Sequence, residues 1–292
     1  MNYDIVIVGA GVAGLTAAIY AGRSKYSVLV IEEYMIGGQC VAIDSIENFP
    51  SYKNISGVEL TTKMYEQCID LGVKFVVNSI ESIDIEKHII KLSNQELSYK
   101  KLIIATGLTY NKPNIENIDN YQGRGVSYCT VCDANLYKNK IVAVVSNSML
   151  GVNDAEYLSH YASKVYHINY KNFENKTHGE NITNFWNSDI LSINGGLSVN
   201  NIEIKNNKGE VETLQINGLF ISMGKTPSNK LVKNIELDKA GYIVTDDNML
   251  TNIESVYAIG DIRSKVLRQV ITACSDGAIA ATHAIIELNK NI

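Results

Sequence analysis

Apolar runs of strand length alternate along the chain with stretches of helical spacing, and the alternation occurs twice. The run DIVIV (residues 4–8) breaks into glycines. Residues 13–23 then carry apolar positions at helical intervals, and SVLVIE (27–32) supplies a second strand. Residues 57–72 read as another helix with Leu60, Met64 and Cys68 on one face, which makes Cys68 a core residue. Short strands follow over 73–85, 88–93 and 96–107. Strand, turn, helix and strand recur over 140–170. The pattern therefore predicts an α/β chain of two doubly wound, nucleotide-binding-type domains in tandem, a Rossmann-like arrangement.

Beyond residue 171 the periodicity weakens. Residues 172–189 are polar, and 199–216 read as a hairpin turned at Lys208-Gly209. Residues 218–229 give a buried strand running into a Gly/Pro loop. The last strand, VYAIGDI (256–262), ends at Gly260-Asp261, and an amphipathic helix follows over 268–288. A strand, a carboxylate and a helix N-terminus this late in the chain are expected to return to the first domain. That makes it discontinuous, 1–113 plus 241–292, around a second domain of 114–240.

Composition narrows the function classes. The 292 residues are 46% hydrophobic and 20% charged with three prolines, the profile of a globular protein with ample core. A net charge of −5 offers no basic footprint, so no nucleic-acid partner is expected. No membrane partner is expected either, because no run approaches the roughly 18 apolar residues of a span. The first residues lack a positively charged leader, so the expected location is cytoplasmic. In that reducing compartment Cys129 and Cys132, spaced CxxC in SYCTVCDAN and followed by Asp133, read as a redox-active pair. Zinc needs four ligands. The other cysteines (Cys40, Cys68, Cys274) are scattered singly, and His88, His160, His167, His178 and His283 show no metal-ligand spacing, so no metal is expected.

Gly9, Gly11 and Gly14 complete GxGxxG between the first strand and helix, and Glu32 closes the second strand. The glycines let a backbone approach a pyrophosphate at a helix N-terminus, and an acid about twenty residues on can accept ribose hydroxyls. Residues 33–52 are polar, glycine-marked and carry Pro50, so they read as a binding loop. Ala105-Thr106-Gly107 form a small-residue turn at a strand end. The corresponding turn of the second domain reads Ser146-Asn147-Ser148-Met149-Leu150-Gly151, and its second strand ends in Asn169-Tyr170-Lys171. Serines crowd a pyrophosphate there, and neither an acid for a ribose nor an arginine pair for a 2′-phosphate is present.

GAGVAG, GGQC, ENFP, the ATG turn, CTVCD, IGDI and LRQVITA…DGAIAA together resemble the low-molecular-weight thioredoxin reductases, over nearly the full length. The resemblance implies FAD in the discontinuous domain, with Gly11, Gly14, Glu32, Gly38, Gln39, Asn48 and Asp261 in contact with it. Arg268, Gln269 and Val270 would lie under the flavin ring. It implies a CxxC-bearing second domain in which Cys132 faces the flavin, Cys129 attacks the partner disulfide and Asp133 handles the thiol protons. Thioredoxin is the implied partner and a homodimer the implied assembly.

The family's NADPH site, a GxGxxA turn followed by His-Arg-Arg, is degenerate at Ser146, Ser148, Gly151 and Asn169–Lys171. The segment after Tyr170 is also shorter than the family's. In this respect the chain resembles the flavin thioredoxin reductases that take electrons from ferredoxin. Two other readings stand beside a ferredoxin-dependent reductase: a flavin-dependent dithiol oxidase that passes electrons to oxygen, and a non-catalytic redox-sensing flavoprotein. Retention of CTVCD with its acid argues against the last.

Overall fold

The computed structural model describes residues 1–43, 45–170 and 177–290, the side chain of Cys132 excepted. Two compact units result: Met1–Thr109 with Thr226–Ile292, and Tyr110–Lys225. The chain returns to its first unit before residue 241, because Val232, Ile235 and Ile243 fill that unit's core.

In the first unit β1 (Asn2–Val8), α1 (Val12–Gly22) and β2 (Val28–Glu32) form the expected opening. They are followed by α2 (Gly57–Asp70), β3 (Lys74–Val77), β4 (Ile80–Asp84), β5 (Ile89–Leu92) and β6 (Glu96–Ile104). Strand β7 (Leu108–Tyr110) then leads out. In the second unit β8 (Val126–Ser127) precedes α3 (Thr130–Asp133), β9 (Ile141–Ser146), α4 (Met149–Ser159) and β10 (Lys164–Asn169). The polar stretch after it holds β11 (Ile182–Phe185), a strand the periodicity does not reveal. Strands β12 (Asp189–Gly195), β13 (Val199–Lys205), β14 (Val211–Gln215) and β15 (Gly218–Ser222) complete that unit. The chain returns through β16 (Lys225–Pro227) to β17 (Val256–Ala258) and α5 (Val270–Lys290).

The first sheet runs β3-β2-β1-β6-β5-β4, with β17 also on β6. Strands β1, β2, β3, β6 and β17 are parallel, while β5 joins β6 antiparallel. One face buries Ile5, Ile7, Val30 and Ile103 against alanines of α1 and α5. The other buries Val6, Val8, Leu29 and Leu102. This two-sided burial explains why these strands read as continuous apolar runs. The second sheet, β11-β10-β9-β15-β8, is parallel throughout. Helix α4 covers one face, through Ala155 and Leu158 on Val142, Val144 and Phe220. The antiparallel sheet β12-β13-β14 covers the other, where Ile193, Ile202 and Ile204 meet Ala143, Val145 and Leu219. The strand order turns back beside β1 in the first sheet and beside β9 in the second, and ligand crevices of open α/β sheets form at the carboxyl ends of strands at such points.

Candidate active site

The first glycine turn is built by close approach. Gly9 has φ 104°, and a Cβ there would lie 2.4 Å from the Ala105 carbonyl oxygen; a Cβ on Gly14 would lie 1.9 Å from the Gly9 carbonyl oxygen. These two glycines let β1, β6 and α1 meet. Gly11, the N-cap of α1, differs, because a Cβ there would meet nothing within 4 Å. Its bareness opens space over the uncapped, positive end of an 11-residue helix. Glu32 is fixed beside this end: its carboxylate accepts the amide of Ala10 at 2.7 Å and that of Tyr34 at 3.0 Å. Carboxylate oxygens carry two lone pairs each, so both remain able to accept a hydroxyl.

The loop over residues 33–52 folds onto the same end. Gly37 donates to the Ala10 carbonyl at 2.8 Å, and a Cβ on Gly38, at φ 56°, would lie 3.0 Å from the Gly11 Cα. The Gln39 amide donates to the Leu108 carbonyl, and Asn48 donates to Gln269 at 3.1 Å, joining the loop to the residue before α5. Thr106 donates to Ser228 O at 2.7 Å, and Gly107 accepts from the Ser228 amide at 3.0 Å. Val270 opens α5 and packs partly buried against Cys40 and Ile46.

Asp261 stands on the turn after β17, and its Oδ1 is buried with no hydrogen-bond partner in the chain. That turn is held by a group absent from the sequence reading: buried Asp276 of α5 accepts the Gly260 amide at 3.0 Å, Arg263 at 3.2 Å and Lys265 at 2.8 Å. Arg268, expected under a flavin ring, spends its guanidinium on the carbonyls of Asp261, Lys265 and Arg263 and lies 3.8 Å over Tyr242. It shapes the loop that presents Asp261. An orphaned buried carboxylate oxygen and an open glycine cradle at a helix N-terminus fit an extended dinucleotide with hydroxyls and a pyrophosphate, and FAD is of that kind.

The CxxC turn lies on α3. Cys129 is disulfide-bonded, while the side chain of Cys132 lies outside the described residues. Ser127 organises the turn. Its hydroxyl donates to Asp133 Oδ2 at 2.6 Å and accepts the Cys129 amide at 3.1 Å. With one proton to give, it chooses the carboxylate over the Cys129 carbonyl at 3.3 Å. Asp133 is thereby pinned beside the main chain of Cys129. On the far side of the turn, Asp154 of α4 accepts a hydrogen bond from Ser222, and the nearby Thr130 hydroxyl also lowers its pKa against the upward push of burial. Sequence reading passed over Ser127, Asp154 and Ser222; only the position of Ser127, two residues before Cys129, hinted at a local hydroxyl turn. The other cysteines are free. Burial pushes the Cys68 thiol up to about 12 and that of Cys40 up to about 11, and it raises Cys274 as well.

The second glycine-like turn has been refilled. Ser146 is fully buried, and its hydroxyl meets His167 Nε2 at 2.8 Å, while His167 Nδ1 meets Asn184 Oδ1 at 3.0 Å. Thr177 also donates to Asn184. Burial lowers the pKa of His167, so the ring is neutral, donating from Nδ1 and accepting from Ser146. A Cβ on residue 151 would lie 1.9 Å from the Ser146 Cβ. The serine at the first glycine position thus requires the glycine at Gly151. Met149 and Leu150, each about half exposed, stand in the first turn of α4 where a pyrophosphate would approach. Asn169 is fully buried, and Lys171 lies outside the described residues.

A family model for "Pyridine nucleotide-disulphide oxidoreductase" matches residues 3–277. The chain is 36% identical to the thioredoxin reductase of Treponema pallidum over 292 residues, covering 96% of this chain and 95% of that one. The structure of Lactococcus lactis thioredoxin reductase superposes with a TM-score of 0.76 at 35% identity, covering 99% of both chains. A ferredoxin-flavin thioredoxin reductase from Clostridium acetobutylicum matches with a TM-score of 0.56 at 29% identity, again over 99% of both. No helix among the described residues is long and apolar enough to cross a membrane.

Proposed function

Because the chain belongs to the pyridine nucleotide-disulphide oxidoreductase family and groups there with the thioredoxin reductases, we propose that it is an FAD-dependent thioredoxin-disulfide reductase whose donor is reduced ferredoxin and not NADPH. Gly9, Gly11, Gly14, Gly38 and the α1 N-terminus would hold the pyrophosphate, Glu32 a ribose and Asp261 a hydroxyl of the cofactor chain. Gln39, Asn48, Gln269, Val270 and the turn Ala105–Gly107 would close around the rest. The N-terminal end of α5 favours negative charge.

Ferredoxin carries one electron and a disulfide accepts two, and FAD when bound supplies the chemistry that joins them. In the thiol half-reaction the Cys129 thiolate attacks the partner disulfide; one partner sulfur leaves as a thiolate and a mixed disulfide forms. Cys132 then attacks Cys129, which releases the second partner thiol and closes the Cys129–Cys132 bond. Asp133, whose carboxylate accepts the Ser127 hydroxyl, would take and return the thiol protons.

The observation that carries the choice of donor is the refilled turn after β9. Ser146 and His167 occupy the space that glycines would leave open, and Met149 and Leu150 offer apolar side chains to a dianionic group. The driving force permits the direction: a plant-type ferredoxin near −400 mV and a thioredoxin near −270 mV differ by about 130 mV, roughly 6 kcal/mol for two electrons. The test is an anaerobic turnover assay with thioredoxin as acceptor. Photoreduced ferredoxin should drive thioredoxin reduction at a rate that falls with salt, and NADPH should not. Efficient oxidation of small dithiols by oxygen, with no response to ferredoxin, would replace this reading with a dithiol oxidase.

A further inference from the structure

Helix α3 is four residues long, a single turn that meets the cost of helix nucleation with no propagation to offset it. Its geometry must be imposed from outside. Ser127 does so at its start. Beneath it, Thr130, the first residue between the two cysteines, is 7% exposed while its neighbour Val131 is 68% exposed, so Thr130 is the side chain turned inward. Its hydroxyl lies on the Asp154 side of the turn, close enough to lower the Asp154 pKa, and Asp154 Oδ2 accepts Ser222 Oγ at 2.5 Å. Ser222 is 3% exposed and ends β15, the strand beside β9 in the middle of the sheet. Hydroxyl, carboxylate and hydroxyl thus line up as a strut from the central strands of the sheet to the CxxC turn.

We propose that Asp154 is a positioning residue for the redox pair, its carboxylate, braced by Ser222, holding Thr130 so that the turn keeps Cys129 in disulfide-forming geometry. The inference rests on reading Cys129 and Cys132 as the exchanging pair. Burial raises the pKa of Asp154 while its two hydroxyl donors lower it, so the strut itself favours the ionised carboxylate. Disulfide closure demands Cβ atoms about 3.5–4.5 Å apart. When the disulfide is reduced, the S–S bond takes up two electrons and two protons to give two thiols. A turn that holds the thiols together favours the oxidised form, and a loosened turn gives up part of that advantage.

The test is equilibration of the FAD-loaded protein in dithiothreitol redox buffers, with the Cys129 and Cys132 thiols counted by alkylation and mass spectrometry. Asp154→Asn and Thr130→Val should each weaken the disulfide about tenfold against the dithiol, about 30 mV for a two-electron couple. Thr130→Val made in the Asp154→Asn background should add nothing, and Thr130→Ser should restore the wild-type equilibrium. An unchanged equilibrium with a lower melting temperature would reduce Asp154 to a stabilising role and overturn the proposal, as would fully additive shifts. Should Asp154→Asn not fold, Thr130→Val and Ser222→Ala decide in its place, and no shift in either refutes the strut. Failure of the underlying functional reading is distinguishable: the wild-type protein itself would then show no reducible Cys129 across the buffer range.

Discussion

Asp261→Ala separates a cofactor ligand from a structural acid by the sign of two effects. In the chain alone the Asp261 Oδ1 is buried without a partner, and an unmet buried polar atom costs about 1–3 kcal/mol. Removing it should leave the apoprotein as stable as before or more so, by about 1 kcal/mol. The turn itself should survive, because Asp276, Arg263 and Lys265 hold it through groups the substitution leaves intact. In the loaded protein the same change removes a hydrogen bond to a charged group, about 1.5–3 kcal/mol, so FAD affinity should fall by about 10- to 150-fold. Thermal melting of apoprotein and fluorimetric FAD titration measure the two quantities on one preparation. An apoprotein destabilised by 2 kcal/mol or more with unaltered FAD affinity would make Asp261 a structural residue and refute the reasoning.

Gly11→Ala and Gly14→Ala should fail differently. The first fits the free chain and loses FAD retention, whereas the second meets the Gly9 carbonyl at 1.9 Å and should lower apoprotein stability by about 1–3 kcal/mol; equal melting temperatures would contradict the contrast. Ser127→Ala strips a partner from both the Cys129 amide and Asp133, and thioredoxin turnover should drop at least tenfold while bound flavin and its spectrum stay unchanged. After reduction, native-state alkylation at pH 8 should label Cys129 and spare Cys68, whose thiol burial pushes up to about 12, until denaturant is added; rapid native labelling of Cys68 would disprove its burial. His167 is held neutral, its folded pKa below the unfolded value of about 6.5. The unfolded state therefore binds the extra proton, and stability present above pH 6.5 is lost as pH falls below it. His167→Leu should flatten that part of the profile.

The two glycine-turn regions were legible because their chemistry is local. GxGxxG states its own backbone demands, and the serines of the second turn state their violation within a few residues of one another. The apolar strands were legible because both faces of each parallel sheet are covered. What escaped reading is set by contacts between distant residues. Val232 and Ile235 fall in short apolar pieces broken by Lys233, Asn234 and Glu236, and Ile243 in the brief run Tyr242–Val244, so no sustained periodicity marks the return of the chain near residue 226. Strand β11 gains its place from pairing with β10, not from its own polar sequence. Ser127 and Thr130 look like any hydroxyl near a cysteine, and Asp154 like any acid on a helix, until the fold brings Ser222 and Asp133 to them. Asp276 reads as a solvent acid in an amphipathic helix, yet it is 5% exposed and gathers two cations and an amide.

The most direct measurement is anaerobic stopped-flow of the yellow, FAD-loaded protein mixed separately with photoreduced ferredoxin and with NADPH, following flavin absorbance. Ferredoxin should bleach the flavin within the turnover time, and NADPH at micromolar concentration should leave it oxidised. Rapid bleaching by NADPH would show that Ser146, His167, Met149 and Leu150 do not close the nucleotide crevice, and would contradict the proposed donor.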